Sequence, residues 1–302
     1  MNIYLVRHGT TEWNSQGRIQ GRTDIRLDST GVEMARQTGL KLSEEGIIFD
    51  RIYSSPLNRA YTTAELIGRP TDSQDPSCPS APHSLPDQDN NSIKTPDIIT
   101  DTRLSELGFG CFEGRIANEM FSDPECIFRY FKTDPKRYND EILHAYRNPV
   151  DMTGNPGSSG NSGLPGLSGP EGFPESLTML LDRTRDFIVN VIEPLILSSV
   201  QHDSMTRISS AEHFGSFPDN AGQQAPENIL ISGHGAVNRA LLMYFLGVTD
   251  LALFWGTGLQ PNCGIVKISC TQSGPSKISY DVQDEYIVLY DKNLVAGLKN
   301  LL

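Results

Sequence analysis

Three short apolar runs in this chain each stop at turn residues and are followed by a helical pattern, the first after a loop through Asn14 to Asp28 and the other two within a few residues. Ile3 to Val6 stops at Arg7-His8-Gly9, Phe49 to Tyr53 at Ser54-Ser55-Pro56, and Asn228 to Ser232 at Gly233-His234-Gly235. Runs of four to eight apolar residues bounded by turn residues read as buried strands. The helices that follow are equally legible. Thr30-Gly-Val-Glu33 has capping-box spacing and opens a helix that should end near Gly46, and Ser54-Ser55-Pro56 reads as an N-cap with proline at the first helical position. A helix over Val237–Leu246 should stop at Gly247, while Leu177, Leu180, Leu181, Phe187, Ile188, Val191 and Ile192 recur at helical spacing. Ile265–Cys270 and Lys277–Val282 flank a Gly-Pro turn as a hairpin would. Strands alternating with helices predict an α/β fold: a three-layer sandwich with a mainly parallel central sheet and helices on both faces.

The 302 residues suffice for one substantial core, and we read 1–302 as a single domain with insertions. Stretches 69–97 and 201–226 are rich in Pro, Ser, Asp, Asn and Gln without apolar periodicity, and predict long flexible insertions. A third insertion, 149–172, carries glycine at every third position from Gly154 to Gly172. That is collagen spacing, but six triplets tethered at both ends are a poor start for a three-chain helix, so a flexible insertion is expected and trimerisation is the minor alternative. A net charge of −12 argues against nucleic acid as partner while leaving room for a small anion held by local arginines. The N-terminus lacks the flank and apolar run of a signal peptide, and no later run is long enough for a membrane span; a cytoplasmic protein without membrane association is expected. Five cysteines without C-x-x-C spacing suggest neither a disulfide framework nor a zinc site.

In a parallel sheet the three strand ends share one edge, so Arg7, His8, Arg59 and His234 can converge. Two of these junctions also open helices, whose first N–H groups and positive dipole end favour an anion. Two guanidinium groups with two histidines suit a tetrahedral dianion, which points to a phosphoryl group. Two histidines and a carboxylate could instead bind zinc, but no H-x-x-x-H spacing is present and the arginines oppose a divalent cation, so no metal is expected. A Ser-His-Asp hydrolase lacks its G-x-S-x-G elbow.

Arg7-His8-Gly9 with Asn14, then Arg18-Ile-Gln-Gly21-Arg-Thr-Asp24, Ser54-Ser55-Pro56-Leu57-Asn58-Arg59, Arg103-Leu-Ser-Glu106 through Glu113-Gly114, Glu175-Ser176-Leu177 and Ser232-Gly-His234-Gly together resemble the histidine phosphatase superfamily, in its phosphoglycerate-mutase-like branch. The similar segments cover about two-thirds of the chain, in family order. The resemblance implies His8 as nucleophile, Arg7, Arg59, Asn14 and His234 as holders of the phosphoryl oxygens, and Glu106 as the acid that protonates the leaving alkoxide, with Glu113 as rival. A carboxyl group beside a dianion is driven toward its protonated form, as a general acid requires. Gln20 and Gly21 would line the entrance, and Thr10 is expected to contact substrate beside them. Thr10 stands where the mutase motif usually has Glu or Gln, and Leu107 where a basic residue commonly follows the acid; both favour hydrolysis of a small phosphorylated metabolite, without a cofactor, over mutase transfer or an idle phosphate-binding module. Residues 121–147 should form a helical cap whose Phe128, Tyr130, Phe131 and Tyr138 either contact substrate or fill the core.

Overall fold

The computed structural model describes residues 1–70, 96–147, 173–197, 226–256, 258–283 and 286–296. Nearly all of the three insertions, including the glycine triplets, lies outside them. Six strands form one sheet: β1 (Asn2–Arg7), β2 (Arg51–Ser54), β3 (Ile98–Thr100), β4 (Asn228–Gly233), β5 (Ile265–Gly274) and β6 (Lys277–Val282), in the order β3-β2-β4-β1-β5-β6. The first four are mutually parallel, and β5 and β6 extend the sheet as an antiparallel hairpin beside β1. β3 is the strand that sequence reasoning missed, because its three residues adjoin a polar insertion and show no alternation.

Alternate residues of the parallel strands bury into opposite layers, as strand pleating requires. Tyr4, Val6, Ile52 and Leu230 pack with Met34, Leu42, Ala64 and Ile67 of helices Ser29–Glu44 and Asn58–Gly68. Ile3, Leu5, Ile229 and Ile231 pack on the other face against Phe187, Ile188, Ile192 and Leu241. These come from helix Leu177–Phe187, its π-helical continuation Ile188–Ile192, and helix Gly235–Phe245. The three layers are therefore those the strand-helix alternation predicts. A third apolar cluster joins short helices and turns over 117–147, including Phe128, Phe131, Tyr138 and Ile142, to Leu177, Leu180 and Val237, and so seats the helical cap beside the sheet's carboxyl edge.

Two helix starts differ from the sequence reading. Asp28, not Thr30, caps Ser29–Glu44, its carboxylate accepting from the Gly31 N–H at 2.7 Å. Glu33 spends both oxygens on Arg36 and Gln37 instead of closing a capping box. The helix expected at Pro56 begins at Asn58, with Leu57 as N-cap and no side-chain cap bond, because leucine has no acceptor to offer.

Candidate active site

Register brings the site together. Arg7 pairs with Gly233 and Ser54 with Ser232, so His8, Ser55 and His234 each stand one residue beyond their strand ends, side by side. The His8 N–H donates to Gly233 O at 3.1 Å and the Ser55 N–H to Ser232 O at 3.0 Å, which carries the ladder one step past the sheet. The chain leaves β1 and β4 toward opposite faces, and such a switch point opens a crevice at the carboxyl edge. Gly9 is required next: a Cβ there would lie 2.5 Å from Gly31 O, where the turn presses on the start of helix Ser29–Glu44.

His8 is buried, and its Nδ1 lies 2.7 Å from Gly9 O. A carbonyl only accepts, so Nδ1 carries the proton and Nε2 keeps its lone pair. Burial, then the Arg59 and Arg7 charges, hold this imidazole's pKa well below its ordinary value, so it is neutral at neutral pH. His234 packs against it, ring centroids 5.1 Å apart, and is likewise held neutral by burial and by Arg59. Its Nε2 meets Ser55 Oγ at 2.8 Å. That oxygen also accepts from the Leu57 N–H, and in the tautomer where its own proton goes to His234 Nε2 the ring proton sits on Nδ1. His234 Nδ1, buried without a protein partner, is then left as a donor.

Arg59 is fully buried in the first turn of its helix and donates to Gly21 O at 2.6 Å and Thr23 O at 2.8 Å. Arg7 Nη1 donates to Gln260 O at 2.8 Å. Burial lowers both guanidinium pKa values to about 10, which leaves them cationic at neutral pH. The loop under Arg59 is shaped by Glu113, whose carboxylate accepts from the backbone N–H groups of Arg22, Thr23 and Phe109 and from the Thr23 hydroxyl. Gly21 has φ +54°, and a Cβ there would run into the Glu113 carboxylate. Glu113 thus shapes the loop that holds Arg59 and is not part of the cleft lining.

Glu106 does line the cleft. Its Oε1 accepts from Leu107 N–H at 2.8 Å and Val237 N–H at 3.1 Å, its Oε2 from Ala236 N–H at 3.2 Å. Part of the helix N-termini expected to receive a substrate anion is taken by the chain's own carboxylates. The start of helix Gly235–Phe245 holds the Glu106 carboxylate, and the Asn58 N–H of the other helix donates to Asp24 at 2.7 Å. Positive charge in the cleft comes from side chains. The loop bearing Glu106 is clamped by Arg183, which donates to Glu106 O at 3.1 Å and Arg103 O at 2.5 Å while pairing with Glu175 at 2.7 Å.

Asn14 lines the cleft, with Oδ1 accepting from the Thr11 N–H and hydroxyl, so its amide donors are the groups left for a ligand. Gln20 and Gly21 line it too. Thr10 does not: it is buried behind Gly9, its hydroxyl donating to Asp28 at 2.7 Å. Of the cap aromatics, Phe128 and Phe131 face the cleft, whereas Tyr138 is core and Tyr130 lies under the Arg129 and Arg137 guanidiniums. Sequence reasoning missed Arg18, Lys132, Trp255 and Leu259 in the cleft's lining, and the Asn238, Gln260 and Asn262 amides that tie β1 to the 259–264 loop. Arg18 opens the quoted Arg18–Asp24 segment without having been given a role, the others stand in no motif, and only the alternation of polar with apolar residues near 260 could have drawn attention to those in that loop. Among the described residues no His, Cys, Asp and Glu cluster could hold a metal ion, and no helix is long and apolar enough to cross a membrane.

Several known proteins share this architecture. Over 258 residues, 83% of this chain and 87% of the relative, it is 23% identical to a 2,3-bisphosphoglycerate-dependent phosphoglycerate mutase of Actinobacillus pleuropneumoniae, and 24% identical over the same length to that of Histophilus somni. YhfR of Bacillus stearothermophilus superposes with a TM-score of 0.56 at 20% identity, covering 96% of this chain and 99% of that one. A putative alpha-ribazole-5'-P phosphatase of Escherichia coli gives a TM-score of 0.54 at 18% identity, covering 97% of each chain. The family model described as "Histidine phosphatase superfamily (branch 1)" matches residues 3–77 and 215–282, which carry His8, Arg59 and His234, and the chain belongs to that superfamily.

Proposed function

We propose that this protein is an enzyme that hydrolyses phosphate monoesters through a phosphohistidine on His8. The observation that carries the reading is the His8 imidazole itself: neutral, fixed in one tautomer by Gly9 O, and flanked by Arg7 and Arg59, both cationic at neutral pH. In this reading Arg7, Arg59, Asn14 and His234 Nδ1–H bind the phosphoryl oxygens and stabilise charge in transfer. His8 Nε2 forms the P–N bond as the P–O ester bond breaks, and Glu106 gives its proton to the departing alkoxide. Oε2, with one N–H partner against two on Oε1, is the oxygen freer to do so. The resulting Glu106 carboxylate then takes a proton from water, whose oxygen attacks phosphorus, breaks the P–N bond and restores His8.

Mutase transfer is the second reading, favoured by the curated relatives named above. Supporting hydrolysis instead, the cleft wall beyond Glu106 is mostly aromatic, with Arg18 and Lys132 as its further cations. The test is p-nitrophenyl phosphate turnover in EDTA by wild type and His8→Ala, with acid-quench trapping of an acid-labile phosphoenzyme. Loss of His8 should reduce the rate by at least ~10³-fold and abolish the trapped species. Turnover surviving the substitution would refute the phosphohistidine, and interconversion of phosphoglycerates outpacing hydrolysis would favour the mutase.

A further inference from the structure

Across the cleft from the arginines stands a wall built from Phe109, Phe121, Phe128, Phe131, Trp255 and Leu259. Its rings are locked against one another. Phe131 packs edge-on to Phe109 and Trp255 with centroids 5.1 Å apart in each case, and stacks on Phe128, also at 5.1 Å. The Trp255 indole N–H is spent on Phe131 O at 2.7 Å. Such a wall is preorganised and offers apolar ring surface without a free hydrogen-bonding group, which suits a flat hydrophobic body and gives hydroxyls nothing to replace their water. Lys132 follows Phe131 at the mouth, exposed, with Nζ 5.3 Å from the Phe121 ring centroid. Among the described residues no carboxylate lies within ion-pairing distance of that ammonium.

We propose that this wall is a leaving-group subsite for an aromatic-sized apolar group that carries its own acid, the phosphate lying on Arg7 and Arg59 and the second anion at Lys132. The assignment rests on the phosphomonoester reading for its orientation. Sugar and polyol phosphates are poor occupants of the wall itself, because their hydroxyls would be desolvated against rings; the cleft's free polar groups, Gln20 Oε1 among them, belong to the rest of its lining. A neutral arene would fill the wall but leave the Lys132 charge unused, so the two features together select an anionic aryl-bearing monoester.

Phosphonates separate this inference from the chemistry, since their C–P bond is not hydrolysed. Affinities of the full-length protein for benzylphosphonate, 4-carboxybenzylphosphonate and 2-hydroxyethylphosphonate are to be measured by titration calorimetry. The benzyl compound should bind at least ~10-fold tighter than the hydroxyethyl one, and the carboxylate should add about 5- to 10-fold more. In Lys132→Met the carboxybenzyl-to-benzyl ratio should collapse toward one, and Lys132→Arg should restore most of it. Equal binding of benzyl and hydroxyethyl compounds, no detectable binding of any, or a carboxylate preference untouched by Lys132→Met would each overturn the proposal. The ranking of the three ligands with no His8-dependent turnover of any monoester would instead uphold the subsite and defeat the hydrolytic reading.

Discussion

Arg183→Met separates positioning of the acid from general stability. Arg183 and Glu175 form a bidentate pair with side chains 16% and 10% exposed, and the same guanidinium holds the carbonyls of Arg103 and Glu106. Removing one partner of a fully buried pair costs about 3–5 kcal/mol. Here Arg22 and the Gly108 N–H remain on Glu175, so we expect about 2–3 kcal/mol, which for a domain of this size lowers Tm by about 4–10 °C. The functional loss should be larger and selective. With the loop released, the Glu106 carboxyl moves relative to the ester oxygen, and a displacement near ~1 Å costs about 10²-fold in turnover. That loss should fall on alkyl phosphates, whose alkoxide needs a proton, and stay within ~10-fold for p-nitrophenyl phosphate, whose phenolate does not. Arg183→Lys, able to reach one carbonyl but not the fork, should lie between. The assay is steady-state kinetics on both substrates at least 20 °C below each variant's Tm, taken from a thermal melt. Equal losses on the two substrates, or full alkyl phosphate turnover in a folded Arg183→Met, would refute the clamp's role in placing the acid.

Other outcomes follow from the same geometry. Imidazole NMR titration should find His8 and His234 neutral well below pH 6.5, and Arg59→Met should raise the His8 pKa by removing the second largest cause of its depression. Because the unfolded chain protonates these histidines near pH ~6.5 while the native one does not, stability should fall on acidification below that value. The slope is up to about 1.4 kcal/mol per pH unit for each histidine, measurable by urea unfolding at pH 7 and 5.5 and flattened in a His8→Asn, His234→Asn variant. Gly21→Ala should destabilise by about 1–3 kcal/mol, since its φ is +54° and its methyl meets Glu113, and should weaken inorganic phosphate binding several-fold through the Arg59 contact to Gly21 O.

Arg7, His8 and His234 were legible because each stands at the end of an apolar run or just past it. A strand end is marked locally, by β-branched residues stopping at Gly, and parallel topology does the rest. The roles assigned around them were less legible. Thr10 adjoins His8 in sequence, yet the turn directs its hydroxyl to Asp28, behind the site. Glu113 and Glu106 are indistinguishable as residue types seven positions apart, but one is consumed by loop N–H groups and the other faces the cleft. Part of the two helix starts expected to receive a substrate anion is taken by Asp24 and Glu106, since an N–H pair takes whichever carboxylate the chain brings within reach.

Period and punctuation alone thus determine the α/β layering, the strand ends, and the set Arg7, His8, Arg59 and His234, because hydrophobic alternation and turn chemistry act over a few residues. What the tertiary structure decided is which nitrogen of His8 is free, that Arg59 hangs from a loop shaped by Glu113, that Arg183 holds the Glu106 loop, and that an aromatic wall edged by Lys132 faces the arginines. The His8 tautomer is set by the turn that brings the neighbouring Gly9 carbonyl onto Nδ1, whereas the other three depend on partners from 36 to 124 residues apart, and hydrogen bonds and charges act through space at distances that sequence separation does not encode.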